Sequence, residues 1–268
     1  MFNTIARSTT ALIAAAMASN AQADAAALDL AKSLSNPVAA LISVPFQYNY
    51  DHHIGPDNDG ERHTLNIQPV IPISISEDWN LISRTILPVT HQSDVFPGAG
   101  SQTGTGDTVQ SLFFPPKEPT AGGWIWGAGP AMLLPTGSED ELTADTWAAG
   151  PTGVALRQSG PWTVGLLFNH LVDVADAGHR ADINSTFIQP FASYTTPLAV
   201  TYTLNSETTH DWENHDSAVP LNVLISKVVP IGGQLFSIGD GLRYWVDSTD
   251  NGPQGLGTRL IVTALFPK

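Results

Sequence analysis

The stretch from Leu65 to Val89 constrains the fold of this chain more than any other part of it. It contains two apolar-rich runs of strand length around a polar turn at residues 75–78. The apolar residues of the first run occupy every second position: Leu65, Ile67, Pro69, Ile71 and Ile73. Because side chains alternate across a strand, this spacing gives one apolar face and one more polar face. Similar hairpins recur to the end of the chain without helices of comparable length to cover them, so we interpret the stretch as one hairpin of a membrane-spanning β-barrel.

The composition agrees with a membrane barrel and argues against several other classes of protein. Charged residues make up 13% of the chain, which is about half of the roughly 25% that is usual in soluble domains. After residue 23, no stretch approaches the ~20 consecutive apolar residues that a transmembrane helix needs. The net charge of −14 and the lack of basic clusters argue against nucleic acid as a partner. The absence of cysteine excludes disulfide bonds.

Residues 1–23 have the pattern of a secretory signal peptide. Arg7 supplies a positive charge, residues 11–18 form a short apolar core, and residues 21–23 (Ala-Gln-Ala) form a small-residue cleavage site. The pattern predicts export and, together with the strand pattern, a location in the bacterial cell outer membrane.

Residues 24–36 are predicted to form a short N-terminal helix or leader, and residues 37–268 the barrel. The helix is expected over residues 25–35, since Pro37 disfavours helix in the residue before it. Its apolar surface comes from three leucines: Leu28, Leu30 and Leu34. A helix this short is marginal in water without packing partners. We expect it on the periplasmic side, either docked into the barrel mouth as a plug or frayed as a leader to the first strand.

Twelve strand candidates follow the helix, and the connections between them alternate in length. The strands are expected near residues 41–51, 61–74, 79–90, 107–116, 122–135, 147–158, 161–172, 184–196, 199–207, 217–229, 234–247 and 254–266. The short connections lie near residues 75–78, 117–121, 159–160, 197–198 and 230–233, and the long ones near 52–60, 91–106, 136–146, 173–183, 208–216 and 248–253. Outer-membrane barrels have an even number of strands, short periplasmic turns and longer external loops. The pattern therefore predicts an all-β fold: a transmembrane antiparallel up-and-down barrel of about twelve strands.

Nine prolines fall within the predicted strands, although proline cannot donate a hydrogen bond to a β-ladder. They are Pro45, Pro69, Pro72, Pro88, Pro130, Pro135, Pro151, Pro190 and Pro220. A closed barrel has no edge strand to accommodate them, so they predict several bulges and a distorted wall, or misplaced strands.

Acidic residues and tryptophans occupy particular positions relative to the predicted strands and connections. Of the 25 acidic residues, 19 lie in or beside the long connections, which predicts an acidic external rim. They are Asp51, Asp57, Asp59, Glu61, Asp94, Asp107, Glu139, Asp140, Glu141, Asp145, Asp173, Asp176, Asp182, Glu207, Asp211, Glu213, Asp216, Asp247 and Asp250. Tryptophans near both strand ends predict two interfacial girdles, where an amphipathic ring matches the headgroup region. Those after short turns are Trp79, Trp124, Trp126 and Trp162, and those near long loops are Trp147, Trp212 and Trp245. Outer-membrane lipid and lipopolysaccharide are therefore expected partners.

The sequence pattern of the last strand indicates that the barrel assembly machinery recognises it, so this machinery is a further expected partner. Alternate residues form an apolar face: Leu256, Thr258, Leu260, Val262, Ala264 and Phe266. The face ends in an aromatic residue near the expected periplasmic girdle, as an assembly signal does, although Pro267 and Lys268 follow it here.

Four segments resemble one bacterial family. They are NPVAALISVPFQYNY at 36–50, the hairpin at 65–89, WIWGAGPAMLLPT at 124–136 and LFPK at 265–268. The chain resembles the meta-pathway phenol-degradation family of transporter-like outer-membrane proteins over nearly all of the exported part. The resemblance implies an outer-membrane β-barrel that passes aromatic or other hydrophobic small molecules. It supplies no catalytic motif that could be transferred to these residues.

The more polar strand faces are expected to line the barrel lumen. The predicted pore-lining residues are Gln47, Asn49, Arg62, Asn66, Gln68, Arg84, Asn169, Gln189, Asn222, Arg243 and Arg259. The inward positions of the fifth strand are small or apolar, leaving room for a docked segment or a ligand: Ile125, Gly127, Gly129, Ala131 and Leu133. Such a lining suits a small, weakly polar or aromatic solute. The arginines could attract a carboxylate or phenolate, or pair with acids such as Asp51 and Asp247. The alternative is a lumen filled by its own side chains.

Histidine-acid clusters at residues 51–53 and 210–216 lack the spacing of known metal sites, so we expect no metal, cofactor or catalytic residues. A rival hypothesis is an outer-membrane lipid hydrolase, because His215 and Ser217 have the His-x-Ser spacing that places both side chains on one strand face. The Asn-Gly that follows the serine in the phospholipase version is replaced by Ala218-Val219. A third hypothesis is a soluble exported β-sandwich with a binding role, whose edges would accommodate the prolines.

Overall fold

The computed structural model describes residues 25–176 and 182–267, and the predicted signal peptide lies outside these residues. The described chain forms one helix, α1 (residues 25–34), one 3₁₀-helix (Asp140–Leu142) and a single antiparallel sheet of fifteen strands. The strands are β1 (Ile42–Ile54), β2 (Gly60–Ile67), β3 (Val70–Ser74), β4 (Asn80–Ser93), β5 (Ser101–Thr105), β6 (Thr108–Phe113), β7 (Trp124–Leu134), β8 (Thr146–Ser159), β9 (Trp162–Asp176), β10 (Asn184–Thr195), β11 (Val200–Ser206), β12 (Thr208–Asp211), β13 (Asp216–Ile231), β14 (Gln234–Asp247) and β15 (Gly255–Phe266). No helix within the described ranges is long and apolar enough to cross a membrane.

The sheet closes on itself, because β1 pairs with β15 and β9 pairs with β10. Three barrel strands are each interrupted, as β2 continues into β3, β5 into β6 and β11 into β12. Fifteen segments less these three interruptions give twelve barrel strands in up-and-down order. The predicted fold class is confirmed, and a sandwich of two packed sheets is excluded.

The strands extend further into the predicted long loops than their polar sequences indicated. Residues 101–105 and 208–211, expected in loops, form β5 and β12. Their side chains bond across the ladder: Gln92 donates to Gln102 at 3.2 Å, and His91 Nδ1 lies 2.7 Å from Thr103 Oγ1. Polar cross-strand pairs therefore replace the apolar alternation in the outer third of the barrel, which shortens connections such as residues 55–59 and 212–215.

Several of the nine prolines mark places where the ladder is interrupted. Pro69 lies between β2 and β3. The carbonyl of Pro88 accepts the Gly106 N–H at 2.9 Å, opposite the gap between β5 and β6. The carbonyl of Pro220 accepts the Glu207 N–H at 3.3 Å opposite the gap between β11 and β12, beside a register shift in β13. The wall is thus irregular where proline removes a donor.

The outer surface of the barrel is apolar. Large apolar side chains are exposed around the circumference, among them Phe46, Ile71, Ile73, Val164, Leu166, Leu204, Val223, Leu242, Leu256 and Leu260. Six of the seven tryptophans are also exposed near strand ends: Trp79, Trp124, Trp126 and Trp162 by the short turns, and Trp147 and Trp212 by the long loops. An apolar band between two aromatic girdles is the surface of a membrane-spanning barrel.

Trp245 is the exception to the predicted girdles. Its indole Nε1 donates to Asp51 Oδ1 at 2.8 Å, and the Arg243 guanidinium carbon lies 4.4 Å from the ring centroid. Trp245 has the same strand parity as Arg243 and faces the lumen, so its assignment to the outer girdle was wrong.

Two apolar clusters inside the barrel involve the plug segment. One cluster joins the neighbouring strands β4 and β6 to β8 and β9 and contains Val38, Ile82, Phe113, Val154, Leu156 and Leu167. A second cluster seats α1 against the strand ends and contains Ala31, Leu41, Ala199, Val228 and Leu265. The first strand begins at Ile42, which leaves residues 36–41 with α1 rather than in the barrel wall. We call residues 25–41 the plug segment.

Replacing Phe266 with Asp should reduce the folded, membrane-inserted fraction of the protein. Phe266 is 43% exposed on the outer surface at the end of β15, where it pairs with Ile42. Losing its apolar contact with lipid should cost about 1–2 kcal/mol. The measurement is the amount of protein in the membrane fraction whose migration on a gel changes after heating, as a folded barrel's does. Phe266→Leu is the control. Equal amounts of Phe266→Asp and unaltered protein would exclude an assembly role for this residue.

Candidate functional site in the barrel lumen

The structure places seven of the eleven predicted pore-lining residues at the walls of two cavities inside the barrel. They are Gln47, Asn66, Gln68, Arg84, Asn169, Gln189 and Arg259. The first cavity, about 270 Å³, lies against the plug segment. The second, about 200 Å³, lies toward β4, β6, β9 and β10. Strand alternation brings these side chains together from distant parts of the chain.

Five residues line both cavities and therefore form the partition between them: Gln47, Gln68, Arg84, Gln189 and Glu207. The partition is polar, whereas each cavity also has an apolar wall. Val70 and Phe191 face the first cavity, and Ile86 and Phe187 face the second. Ligand sites commonly combine a mostly apolar surface with a few placed polar groups.

Glu207 and Arg259 form a buried ion pair beside the partition. The two guanidinium Nη atoms each donate to one carboxylate oxygen at 2.7 Å, and Arg259 Nε donates to Asn49 Oδ1 at 2.7 Å. Arg259 is 3% exposed. The fork of the guanidinium matches the carboxylate, so both charges are satisfied within the protein.

The sequence-based assignment of Glu207 to the external acidic rim was wrong. The residue has the same parity as Thr203 and Asn205, which also line the first cavity. Applying the inward-outward alternation to this strand would have identified it, because an acid in the lumen-facing register lies inside regardless of its distance from a loop.

The other four predicted residues belong to a polar network around the cavities. Arg243 lies 3.5 Å from Asp51, which also accepts the Trp245 indole N–H. Asp51 is thus a lumen acid as predicted, whereas Asp247 is exposed and accepts a hydrogen bond from the Ser248 N–H. The remaining contacts are Arg62 Nε to Gln92 Oε1 at 2.9 Å, Asn222 Nδ2 to Asn205 Oδ1 at 2.8 Å, and Asn49 to Arg259.

The plug segment packs at the short-turn end of the lumen. Asn36 ends α1 with a side-chain turn in which its Oδ1 accepts the Val38 N–H at 3.1 Å. The Lys32 carbonyl accepts a hydrogen bond from Gln158 Nε2 at 3.0 Å, which fixes the helix to β8. Leu30 and Leu34 pack in the cluster around α1, whereas Leu28 is half-buried outside it. The segment is docked rather than frayed.

Gly127 provides space for the plug segment. A Cβ at this position would lie 3.4 Å from Val38 Cγ1 and 3.3 Å from Pro115 Cβ. Val38 is itself 4% exposed and packs against the apolar cluster of β4, β6, β8 and β9. The small inward residue of the fifth predicted strand therefore accommodates a docked segment, which was one of the two uses expected from its sequence.

The predicted His-x-Ser pair is not formed. His215 is exposed in the 212–215 turn with φ of 56°, and the Ser217 hydroxyl lies 2.9 Å from His210 Nδ1 instead. Among the described residues, no acid hydrogen-bonds to His210. Three other histidines pair with a hydroxyl on a neighbouring strand in the same way: His63 with Tyr48, His91 with Thr103 and His170 with Thr186. The contact is therefore a recurring cross-strand pair.

The histidine-acid segments do not converge on a metal site in the parts of the chain that the structure describes, where no group of three histidine or acidic side chains is placed to hold an ion. Asp107, one of the acids predicted on the rim, organises the connection between β7 and β8 by accepting hydrogen bonds from the Gly137 and Ala144 N–H groups and the Thr143 hydroxyl.

The barrel is similar to solved outer-membrane proteins. The COG4313 outer membrane channel from Pseudomonas putida F1 is 14% identical, with a TM-score of 0.65 over 85% of this chain and 96% of that one. The NanC porin is 10% identical over 85% and 100% of the two chains, and outer membrane phospholipase A from Escherichia coli is 10% identical over 84% and 98%, each with a TM-score of 0.49. No family model and no curated protein matches the sequence. The first likeness supports the closed β-barrel fold, and the other two add nothing to it.

Replacing Arg259 with Gln should destabilise the barrel strongly. The change leaves the Glu207 carboxylate buried without its partner, at a cost of about 3–5 kcal/mol. Urea unfolding of the protein in micelles measures the loss. Adding Glu207→Gln to the same chain should recover most of it, and Arg157→Gln on the exposed surface serves as the control. A double variant as unstable as the single one would contradict the ion-pair explanation.

Proposed function

We propose that this protein is a channel of the bacterial outer membrane that admits small, weakly polar or aromatic solutes. The observation that carries the proposal is the pair of cavities, each with an apolar wall, that meet at a polar partition in the lumen. A barrel that served only as a scaffold would gain stability from filling this space, because empty volume costs contacts. The eleven predicted residues act in this proposal as the lining and support of the path.

The solute class follows from the size and the lining of the cavities. Both volumes lie below the roughly 300–1,000 Å³ of sites for drug-sized ligands, so one aromatic ring or a short alkyl chain is a suitable size. Phe191 and Phe187 provide aromatic surface on the two sides of the partition. The resemblance to the meta-pathway phenol-degradation family points to the same aromatic class.

The plug segment acts as the gate in this proposal. Leu34 and Leu41 line the first cavity from the short-turn side, so a solute that leaves toward the periplasm must displace them. The surroundings of the protein are outer-membrane lipid and lipopolysaccharide, and its insertion uses the barrel assembly machinery. No enzymatic activity is part of the proposal, since Ser217 belongs to a cross-strand pair that other histidines repeat.

Deleting the gene should slow uptake of small aromatic solutes at limiting external concentration. The outer membrane then becomes the rate-limiting barrier, so the missing path lowers the initial rate. Uptake of labelled benzoate and benzyl alcohol, each compared with a sugar as the polar control, measures the effect. Equal uptake of all solutes with and without the gene would reject the channel and leave a structural barrel.

Replacing Val38 with Asp should raise the conductance of the protein in planar bilayers. The carboxylate would be buried against Ile82 and Phe113 without a partner, which is costly enough to release the plug segment. Deleting residues 25–35 should act in the same direction. Ala26→Asp places the same charge on an exposed position of α1 and should leave the current unchanged. Unchanged conductance in both Val38→Asp and the deletion would show that the segment does not close the path.

A further inference from the structure

The charged side chains in and around the cavities do not balance. Four arginines and two acids lie there: Arg62, Arg84, Arg243, Arg259, Asp51 and Glu207. The arginines therefore outnumber the acidic side chains by two. Charges that are enclosed within a protein are normally paired, because an uncompensated one is expensive to bury. Two arginines therefore lack a carboxylate of their own.

Both acids are already engaged by other side chains. The two oxygens of Glu207 accept the two Nη groups of Arg259, and Asp51 contacts Arg243 and the Trp245 indole. Arg62 donates to Gln92 in the polar network and lines neither cavity. Among the described residues, Arg84 is the other arginine of the four that forms no hydrogen bond or ion pair with a carboxylate, and it lines both cavities together with Glu207, whose two oxygens are taken by Arg259.

Arg84 has spare hydrogen-bonding capacity at the partition. Among the described residues, its guanidinium makes one side-chain hydrogen bond, from Nη2 to Gln68 Oε1 at 3.1 Å. A guanidinium carries five N–H donors in a planar fork, which matches the two oxygens of a carboxylate. The amides of Gln47 and Gln189 share the partition and offer further donors. Glu207 would repel an anion only weakly there, since Arg259 neutralises it.

We infer that the admitted solute is a small amphiphilic anion, a monocarboxylate with one aromatic ring or a short alkyl chain, and that Arg84 binds its carboxylate. The ring or chain then occupies the apolar wall beside the partition, at Phe191 and Val70 on one side or Phe187 and Ile86 on the other. This inference rests on the proposed function and narrows its solute class, because a neutral phenol or alcohol would leave the positive charge of Arg84 uncompensated.

The experiment compares matched probes on the full exported protein in detergent micelles, with isothermal titration calorimetry as the measurement. Benzoate and benzenesulfonate are anions, and benzamide is a neutral molecule of similar size. The unaltered protein should bind both anions at least about ten-fold more tightly than benzamide, as expected for charge-assisted bidentate hydrogen bonds. Arg84→Gln should remove this preference and leave benzamide affinity unchanged. Arg157→Gln, an exposed arginine, should change neither.

A second variant keeps the test decisive if Arg84→Gln inserts poorly. Arg84→Lys retains the charge but not the fork, so it should still prefer benzoate to benzamide by a smaller factor than the unaltered protein. Equal binding of benzoate and benzamide by the unaltered protein would overturn the anion inference while leaving the channel proposal in place. Binding of none of the three probes would overturn both. Loss of benzoate and benzamide affinity together in Arg84→Gln would reject Arg84 as an anion-specific group.

Discussion

The structure depends on one constraint, that backbone N–H and C=O groups facing lipid must bond to one another. A closed antiparallel sheet meets it, because every strand then has two neighbours and no edge is left. Pairing of the first strand with the last, from Ile42–Phe266 to Tyr50–Thr258, completes the ring. Once the sheet is closed, the alternation of side chains places apolar groups over most of the outer surface and most of the arginines and amides of the strands inside. Asp240 is an exception, because it is exposed on the outer face of β14 between Ile238 and Leu242. The site follows from that division, since the lumen is where arginine and glutamate can lie at membrane depth.

Apolar side chains fill one side of the lumen more completely, and the larger first cavity lies on the other side. On the side of β4 and β6 to β9, Val38 and Ile82 take part in an apolar cluster, and its members Phe113 and Leu167 also line the smaller second cavity. On the opposite side, small polar residues such as Ser226, Ser237 and Gly239 line the first cavity and leave room. The ion pair of Glu207 and Arg259 supports the wall between these regions. The cavities are thus bounded by the plug segment at one end, an apolar cluster at one side and a charged network.

The alternation in the sequence predicted the fold class, the strand order and the inward direction of the lining residues, because that pattern is local. It failed where position along a strand was used in place of parity, as for Glu207 and Trp245. It also failed for β5 and β12, since polar ladders above the membrane have the composition of loops. The depth of Val38 could not be predicted at all. Nothing near Val38 in the sequence indicates that it fills a space between residues that lie roughly 45 to 130 positions later, at Ile82, Phe113 and Leu167.

The contacts of the plug segment also set an order of events during folding. Ala31 and Leu41 pack on Ala199, Val228 and Leu265, so the seat of the helix is built largely from the final third of the chain. The segment is joined directly to β1, and β1 needs β15 as its partner. Residues 25–41 can therefore complete their native contacts only after β15 has been made. Docking of the plug segment thus coincides with closure of the seam, and a barrel that is still open along β1 and β15 lacks part of the surface on which α1 packs.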